Sequence, residues 1–179
     1  MKALILAAGM GARLRPLNLD LPKPLIEIKG KPLILWNIEK LRNSGITEIV
    51  INLFYKGEQI KEFLGTGSDY GVNILYSEEE ELLGTGGGIG NALDLLGKDP
   101  FLMISADVWT DFNMTNMALD ESLLAHLILK NNPVSHPEGD LSLQKGFVRD
   151  SFGAMRLTFS GIAIMNPYIF KNIIFFINA

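Results

Sequence analysis

Short apolar runs alternate with segments of helical periodicity along this chain. KALILAA (residues 2–8) is continuous and apolar, which predicts a buried strand. In PLILWNIEKLRNSG (32–45) the apolar positions recur at helical spacing between Pro32 and Gly45, which predicts a helix. The same criteria predict strands in TEIVINL (47–53), VNILYS (72–77), PFLMISAD (100–107), AHLILK (125–130) and LTFSGIAIM (157–165), and helices in GEQIKEFLG (57–65), GGIGNALDLLG (87–97) and the beginning of NPYIFKNIIFF (166–176).

This alternation of strands and helices predicts an α/β fold. Strands joined through helices form right-handed crossovers, which produce a mainly parallel sheet covered on both faces. The chain has 179 residues with no repeat or linker, so we expect a single domain over residues 1–179. Ligands bind such sheets beyond the carboxyl ends of the strands. The loops after the first and fourth predicted strands are therefore expected to carry the function.

Composition argues against several classes of site. The chain has no cysteine, which excludes disulfides, thiolate metal sites and a cysteine nucleophile. His126 and His136 have no second histidine at ligand spacing, which argues against zinc, and the G-x-S-x-G turn of many serine hydrolases is absent. No segment contains ~20 continuous apolar residues, so we expect no membrane span and a cytoplasmic location.

Charge is unevenly distributed. The net charge is −4, but residues 1–31 carry six basic and two acidic residues, a balance of +4, which leaves −8 for the remainder. An acidic body argues against nonspecific binding of nucleic acid, which needs an extended basic surface. A local cationic segment suits a small anionic ligand better.

The segment after the first predicted strand combines small residues with an arginine. AAGMG (7–11) allows backbone N–H groups to approach a ligand closely and to form an anion-binding concavity. It is not the dinucleotide-binding fingerprint, because Leu14 stands where the third glycine belongs, and no Lys-Ser/Thr follows to make a P-loop. A simple tight turn is the alternative. The guanidinium of Arg13, which matches phosphate oxygens, favours an anion site.

Two further charged residues are candidates for the site: a lysine between two prolines and an aspartate at the end of an apolar strand. Lys23 lies between Pro22 and Pro24, which fix φ on both sides and suit an ammonium that must meet a phosphate at one point. The alternative is a proline-rich surface turn. Asp107 ends the apolar strand 100–107, where a carboxylate is placed to bind Mg²⁺ or to cap the next turn.

A second glycine-rich segment begins at Gly84. GTGGGIGNAL (84–93) places glycines at a predicted helix start, a setting for close ligand approach. It follows the acidic run EEEE (78–81), which is typical of a solvated loop but offers a carboxylate for a nucleobase N–H.

Four motifs in this order resemble the sugar-1-phosphate nucleotidyltransferases: LAAGMGARLRPL from Leu6, PKPL from Pro22, LGTGG from Leu83, and Asp107 at a strand end. The resemblance covers essentially the whole chain. It implies a Rossmann-like three-layer fold with a mainly parallel, mixed central sheet. It also implies a nucleoside triphosphate and a sugar 1-phosphate as substrates, with Mg²⁺ as cofactor.

The resemblance also implies roles for individual residues. It implies nucleotide binding by Ala8, Gly9, Gly11, Ala12, Arg13, Lys23, Glu79, Gly84 and Thr85, catalysis by Arg13, Lys23 and Asp107, Mg²⁺ ligation by Asp107, and sugar binding by Ser105, Gly139 and Asp140. The segments DVWTD (107–111), NPVSHPEGD (132–140) and TFSGI (158–162) are most similar to family members that transfer UMP from UTP to N-acetylmuramate 1-phosphate in cell-wall sugar recycling.

Two departures from the family pattern affect what we expect. Close relatives have Asn-Gly before the metal-binding Asp, where this chain has Ser105-Ala106, so the identity of the sugar is open. The family also has a W-x-D-x-G-T segment that supplies a second Mg²⁺ ligand, and the sequence ends at KNIIFFINA without one. We therefore expect a chain that lacks this segment, with a weakened or absent activity.

Three other functions remain as alternatives. One is thymidylyl or guanylyl transfer to another sugar 1-phosphate, and the second is a nucleotide-binding module without catalysis. The third, a nicotinamide-dependent oxidoreductase, fits poorly with the interrupted glycine pattern. For assembly we expect a monomer or a weak homodimer.

Overall fold

The structure is a computed structural model that describes residues 1–14, 20–115, 117–149 and 156–170. Its strands are β1 (Ala3–Leu6), β2 (Glu27–Ile28), β3 (Lys31–Pro32), β4 (Glu48–Leu53), β5 (Asn73–Glu78), β6 (Phe101–Ser105), β7 (Ala125–Lys130), β8 (Leu141–Gln144), β9 (Phe147–Arg149) and β10 (Arg156–Met165). Its α-helices are α1 (Leu33–Asn43), α2 (Gly57–Leu64) and α3 (Gly84–Leu96), and 3₁₀ turns occur at Ala12–Leu14, Lys23–Leu25, Ser68–Tyr70 and Pro167–Phe170.

The main sheet is mixed, with a parallel centre. Strands β5, β4, β1 and β6 lie side by side in that order and are parallel to one another. Strand β10 pairs antiparallel with β6, β7 and β8, and β8 pairs antiparallel with β9. The predicted α/β fold with a mainly parallel, mixed central sheet is confirmed.

Helices cover both faces of the sheet and make three layers. Alternation along β1 sends Ala3 and Ile5 to the face covered by α1 and α2, while Leu4 points to the face covered by α3. All three side chains are fully buried. Because both faces are covered, the central strands read as continuous apolar runs.

Three features differ from the expectations. The short hairpins β2–β3 and β8–β9 were not predicted, because two to four residues carry too little periodicity to recognise. Helix α3 begins at Gly84, three residues before the predicted start at Gly87. Of the predicted helix over 166–176, Pro167–Phe170 is a 3₁₀ turn, and 171–176 lie outside the described residues. Among the described residues, no helix combines the length and hydropathy needed to cross a membrane.

The pairing of β10 with β7 is irregular near the end of β6. The register shifts between Phe159 and Ala163, and Gly161 within this interval has φ +82°. A Cβ on Gly161 would lie 2.9 Å from Val108 Cγ2 and 3.0 Å from Ser105 Oγ. Glycine therefore allows β10 to pack directly against the segment that follows β6.

Replacing Gly161 tests this close packing. Gly161→Ala should destabilise the protein through left-handed backbone strain of about 1–2 kcal/mol and a further ~1–3 kcal/mol from overpacking against the β6 segment. Gly146→Ala is the matched control, because Gly146 has φ +81° and nothing lies within 4 Å of its added Cβ. Urea unfolding of both variants measures the difference, and equal losses of stability would contradict the packing contribution.

Candidate nucleotide-binding site

A cavity of about 530 Å³ lies at the carboxyl ends of the parallel strands. This size is typical of a site for a small ligand. It is lined by Leu6, Ala7, Ala8, Gly9, Met10, Gly11, Ala12, Leu14, Lys23, Pro24, Asn52, Leu82, Gly84, Thr85, Ser105, Ala106 and Asp107. The structure thus brings the two glycine-containing segments, Lys23, Ser105 and Asp107 together around one space.

The loop after β1 forms one wall of the cavity. Ala7 and Ala8 are buried, at 3% and 6% exposure, so the loop starts from the core of the sheet. At Gly9 an added Cβ would have nothing within 4 Å, and Gly11 has φ +58°. The loop then enters the 3₁₀ turn that contains Arg13. Small residues at these positions leave the backbone accessible to a ligand in the cavity.

Lys23 and Asp107 meet across the cavity. The Lys23 Nζ lies 2.5 Å from the Asp107 Oδ2, and the two side chains are 32% and 46% exposed. Lys23 begins a 3₁₀ turn in which the Leu25 N–H donates to the Pro22 carbonyl, and Pro24 and Leu25 are buried. The ammonium therefore extends from a turn that is anchored in the core.

Asp107 is the carboxylate that lines this cavity among the described residues. No group of three or more His, Asp or Glu side chains that could hold a metal ion occurs in the described parts of the chain. Mg²⁺ in nucleotide enzymes commonly takes one or two carboxylates together with phosphate oxygens and water. A single carboxylate at the cavity edge fits Mg²⁺ bound jointly with a phosphorylated ligand.

Glu79, which was expected to contact a nucleobase, is not among the residues that line the cavity. Its side chain is buried, at 8% exposure. Oε1 accepts a hydrogen bond from Asn52 Nδ2 at 2.7 Å, and Oε2 accepts one from the Leu83 N–H at 3.1 Å. Both oxygens are therefore engaged within the protein.

Asn52 lines the cavity, although the sequence analysis did not identify it as a site residue. It is 3% exposed, and its Oδ1 accepts a 2.7 Å hydrogen bond from the Ala7 N–H. The signal that could have identified it is a lone amide near the end of the apolar run TEIVINL.

Gly139 and Asp140 lie in the loop between β7 and β8 and outside the cavity lining. The Asp140 Oδ2 accepts from the Phe159 N–H at 2.8 Å, and Oδ1 lies 3.0 Å from His136 Nε2. Gly139 has φ +62°, and a Cβ there would lie 2.7 Å from Asn132 Oδ1. The structure gives these residues a role in holding the loop, and it does not bring them to the cavity.

A profile of the nucleotidyl transferase family matches residues 2–128, which contain every residue of the cavity lining. The chain belongs to the nucleotidyl transferase family. This match confirms the resemblance carried by the glycine-rich, PKPL and LGTGG motifs.

Several members of the nucleotidyl transferase family are similar to this chain. An N-acetylmuramate α-1-phosphate uridylyltransferase from Neisseria meningitidis serogroup B is 49% identical over 97% of this chain and 78% of its own length. A mannose-1-phosphate guanyltransferase from Schizosaccharomyces pombe is 46% identical over 66% of this chain, which spans 33% of that protein.

Solved structures support the same fold. HddC from Yersinia pseudotuberculosis in complex with GMP-PN superposes with a TM-score of 0.77 and 26% identity, over 96% of this chain and 79% of its own. A UDP-glucose pyrophosphorylase in complex with UDP-glucose gives a TM-score of 0.75 over 95% of this chain and 77% of its own. At 21% identity, the second comparison bears on the fold alone.

The pH dependence of the β7–β8 loop in this nucleotidyl transferase tests the Asp140 contacts. The hydrogen bond from the Phe159 N–H, followed by that from His136, lowers the pKa of Asp140 below the ordinary range of an aspartate. A lowered folded-state pKa adds stability above the unfolded-state pKa, and this stability is lost as pH falls through the folded-state pKa. We expect Asp140→Asn to destabilise the protein at neutral pH and to lose that effect in strong acid.

Urea unfolding of Asp140→Asn at neutral and at acid pH checks the stability, and two NMR titrations check the lowered pKa. NMR titration of the Asp140 carboxyl should give a pKa below the ordinary range, and His136→Ala should raise that pKa without restoring the ordinary value. An ordinary pKa in the unsubstituted protein would contradict the assigned contacts.

Proposed function

We propose that this nucleotidyl transferase transfers UMP from UTP to a sugar 1-phosphate and releases pyrophosphate, with N-acetylmuramate 1-phosphate as the acceptor. The observation that carries the proposal is the Lys23–Asp107 pair inside a cavity built from the two glycine-containing loops. The 49% identity to the Neisseria uridylyltransferase supports UTP and this acceptor. The proposal includes a role in recycling cell-wall sugars in the cytoplasm.

The proposed reaction needs alignment and charge neutralisation more than a protein nucleophile. An oxygen of the sugar phosphate forms a bond to the α-phosphorus of UTP, the bond from that phosphorus to the bridging oxygen breaks, and pyrophosphate leaves. The attacking oxygen is already anionic, so no general base is required. Catalysis then consists of holding both substrates in line while cations offset the developing charge.

The cavity residues divide this work between them. In the proposal, the backbone from Gly9 to Ala12 binds the triphosphate together with Arg13, whose side chain lies outside the part of the chain that the structure describes. Lys23 neutralises charge between the nucleotide and the sugar phosphate. The turn that carries Lys23 is anchored by the buried Pro24 and Leu25, which limits the positions open to the ammonium. Asp107 would hold Mg²⁺, which when bound acts as a Lewis acid and a template for the phosphates.

The remaining lining residues set what binds beside the phosphates. We propose that Gly84 and Thr85, at the amino end of α3, contact the uracil, because they line the cavity next to the loop after β1. Ser105 precedes Asp107 at the end of β6 and is proposed to face the sugar. Gly139 and Asp140 enter the proposal only as supports of the β7–β8 loop, which Asp140 holds through His136 and through Phe159 of β10.

The decisive experiment is a pyrophosphate-release assay that crosses UTP, dTTP, GTP and ATP with the 1-phosphates of N-acetylmuramate, N-acetylglucosamine, glucose and mannose. We expect the highest rate with UTP and N-acetylmuramate 1-phosphate. The highest rate with GTP and mannose 1-phosphate would instead favour guanylyl transfer, for which the yeast relative is the precedent. Binding of UTP by calorimetry without pyrophosphate release from any combination would indicate a nucleotide-binding module.

Lys23→Ala should lower kcat by on the order of 10² or more, because the charge on the transferred phosphate loses its fixed cation. Lys98→Ala is the matched control, since Lys98 is exposed and precedes β6 at the opposite end of the sheet. Steady-state rates at saturating UTP measure the effect. A Lys23→Ala variant as fast as the control would remove Lys23 from the catalytic residues.

Asp107→Asn should abolish Mg²⁺-dependent turnover, because the amide is a weaker ligand for a hard cation than the carboxylate. Titration of the rate with MgCl₂ measures the effect, and Asp111→Asn, four positions along the chain and outside the cavity lining, serves as the control. An unchanged Mg²⁺ titration in Asp107→Asn would place the metal elsewhere.

A further inference from the structure

A continuous chain of hydrogen bonds, which runs through two buried side chains, joins the two loops of the cavity. It starts at the Ala7 N–H after β1, which donates to Asn52 Oδ1 at 2.7 Å. Asn52 Nδ2 donates to Glu79 Oε1 at 2.7 Å, and Glu79 Oε2 accepts from the Leu83 N–H, which precedes α3, at 3.1 Å. One amide and one carboxylate thus connect the segment expected to bind phosphate to the segment expected to bind the base.

The residue types are matched to this order of donors and acceptors. Asn52 supplies one acceptor and one donor, and the Glu79 carboxylate supplies two acceptors. With exposures of 3% and 8%, the two side chains have little contact with solvent. A buried group left without its partner is costly, so the chain favours one separation of the two loops.

Helix α3 makes room for this chain of bonds. A Cβ at Gly88 would lie 2.5 Å from Glu79 Oε1 and 2.6 Å from Asn52 Nδ2. Both atoms belong to the central hydrogen bond of the chain, so any larger side chain at Gly88 would separate them. The glycine therefore supports the same arrangement from a third element of the fold.

We propose that Asn52 and Glu79 are positioning residues that set the distance between the loop after β1 and the amino end of α3. This inference rests on the proposed function, in which one nucleotide contacts both loops at once. A ligand that spans two loops binds more tightly when their separation is fixed before binding. Glu79 thus acts on the nucleotide through Asn52 and Leu83.

The pair can be tested by exchanging its two functional groups. In Asn52→Asp, two carboxylates face each other and the hydrogen bond between positions 52 and 79 is lost. In Glu79→Gln, the new amide NH₂ group faces another donor, either the Leu83 N–H or the Asn52 Nδ2, so one hydrogen bond is lost. In the double variant Asn52→Asp/Glu79→Gln, all three hydrogen bonds can form again. The carboxylate at position 52 accepts from Ala7 and from the new amide, whose oxygen accepts from Leu83.

We expect each single variant to weaken UTP binding, measured by calorimetry, by on the order of tenfold. The double variant should recover most of that loss. A double variant with the combined loss of both single variants would overturn the inference.

The chain offers a matched control on its surface. Asn73 Nδ2 donates to Glu48 Oε2 at 2.9 Å between exposed side chains, which is the same amide–carboxylate contact away from the cavity. The exchange Asn73→Asp/Glu48→Gln and its two single variants should leave UTP affinity unchanged. If these surface variants weaken UTP binding as much as the buried variants do, the loss does not depend on the contact between Asn52 and Glu79, and the inference fails.

Amide hydrogen exchange separates this inference from the proposed function. The Ala7 and Leu83 amides should lose protection in the single variants and regain it in the double variant, with no nucleotide present. If the unsubstituted protein binds no nucleoside triphosphate, the proposed function fails. Protection of the Ala7 and Leu83 amides would still test whether Asn52 and Glu79 connect the two loops. If a single variant does not fold, Gly88→Ala provides the same test. It separates the pair without changing either group, and unchanged protection and affinity in that variant would overturn the inference.

Discussion

The parallel register of β1 between β4 and β6 is the constraint on which the cavity depends. Leu6, the last residue of β1, pairs with Asn52 on one side and Ser105 on the other. Residues far apart in sequence therefore leave the sheet at the same height, and the loops that follow them enclose one space. A shift by one residue in either pairing would turn every side chain of that strand to the opposite face.

The ionic part of the cavity depends on this alignment as well. Lys23 and Asp107 are 84 positions apart, yet the end of β6 and the proline-flanked turn bring their charged atoms to 2.5 Å. Neither residue alone would distinguish a phosphate site from an ordinary surface. Their meeting beside the small residues after β1 makes the cavity suitable for an anionic ligand together with a cation.

Much of this architecture could be predicted from the sequence, because buried strands and amphipathic helices leave strong periodic signals. The four parallel strands and three α-helices were all expected, as were the small residues after β1, the proline-flanked Lys23 and Asp107 after β6 as parts of a candidate site. The internal role of Glu79 could not be predicted. An acidic run looks solvated, and only the three-dimensional neighbourhood of Asn52 and Gly88 shows one of its members to be buried. The contacts of Asp140 likewise depend on β10, which is distant along the chain.

The contact between Lys23 and Asp107 means that the cavity contains its own counterion before any substrate arrives. An entering anion must compete with the carboxylate for the ammonium. In the proposed reaction, Lys23 and Asp107 would therefore give up this contact, the ammonium to the triphosphate and the carboxylate to Mg²⁺.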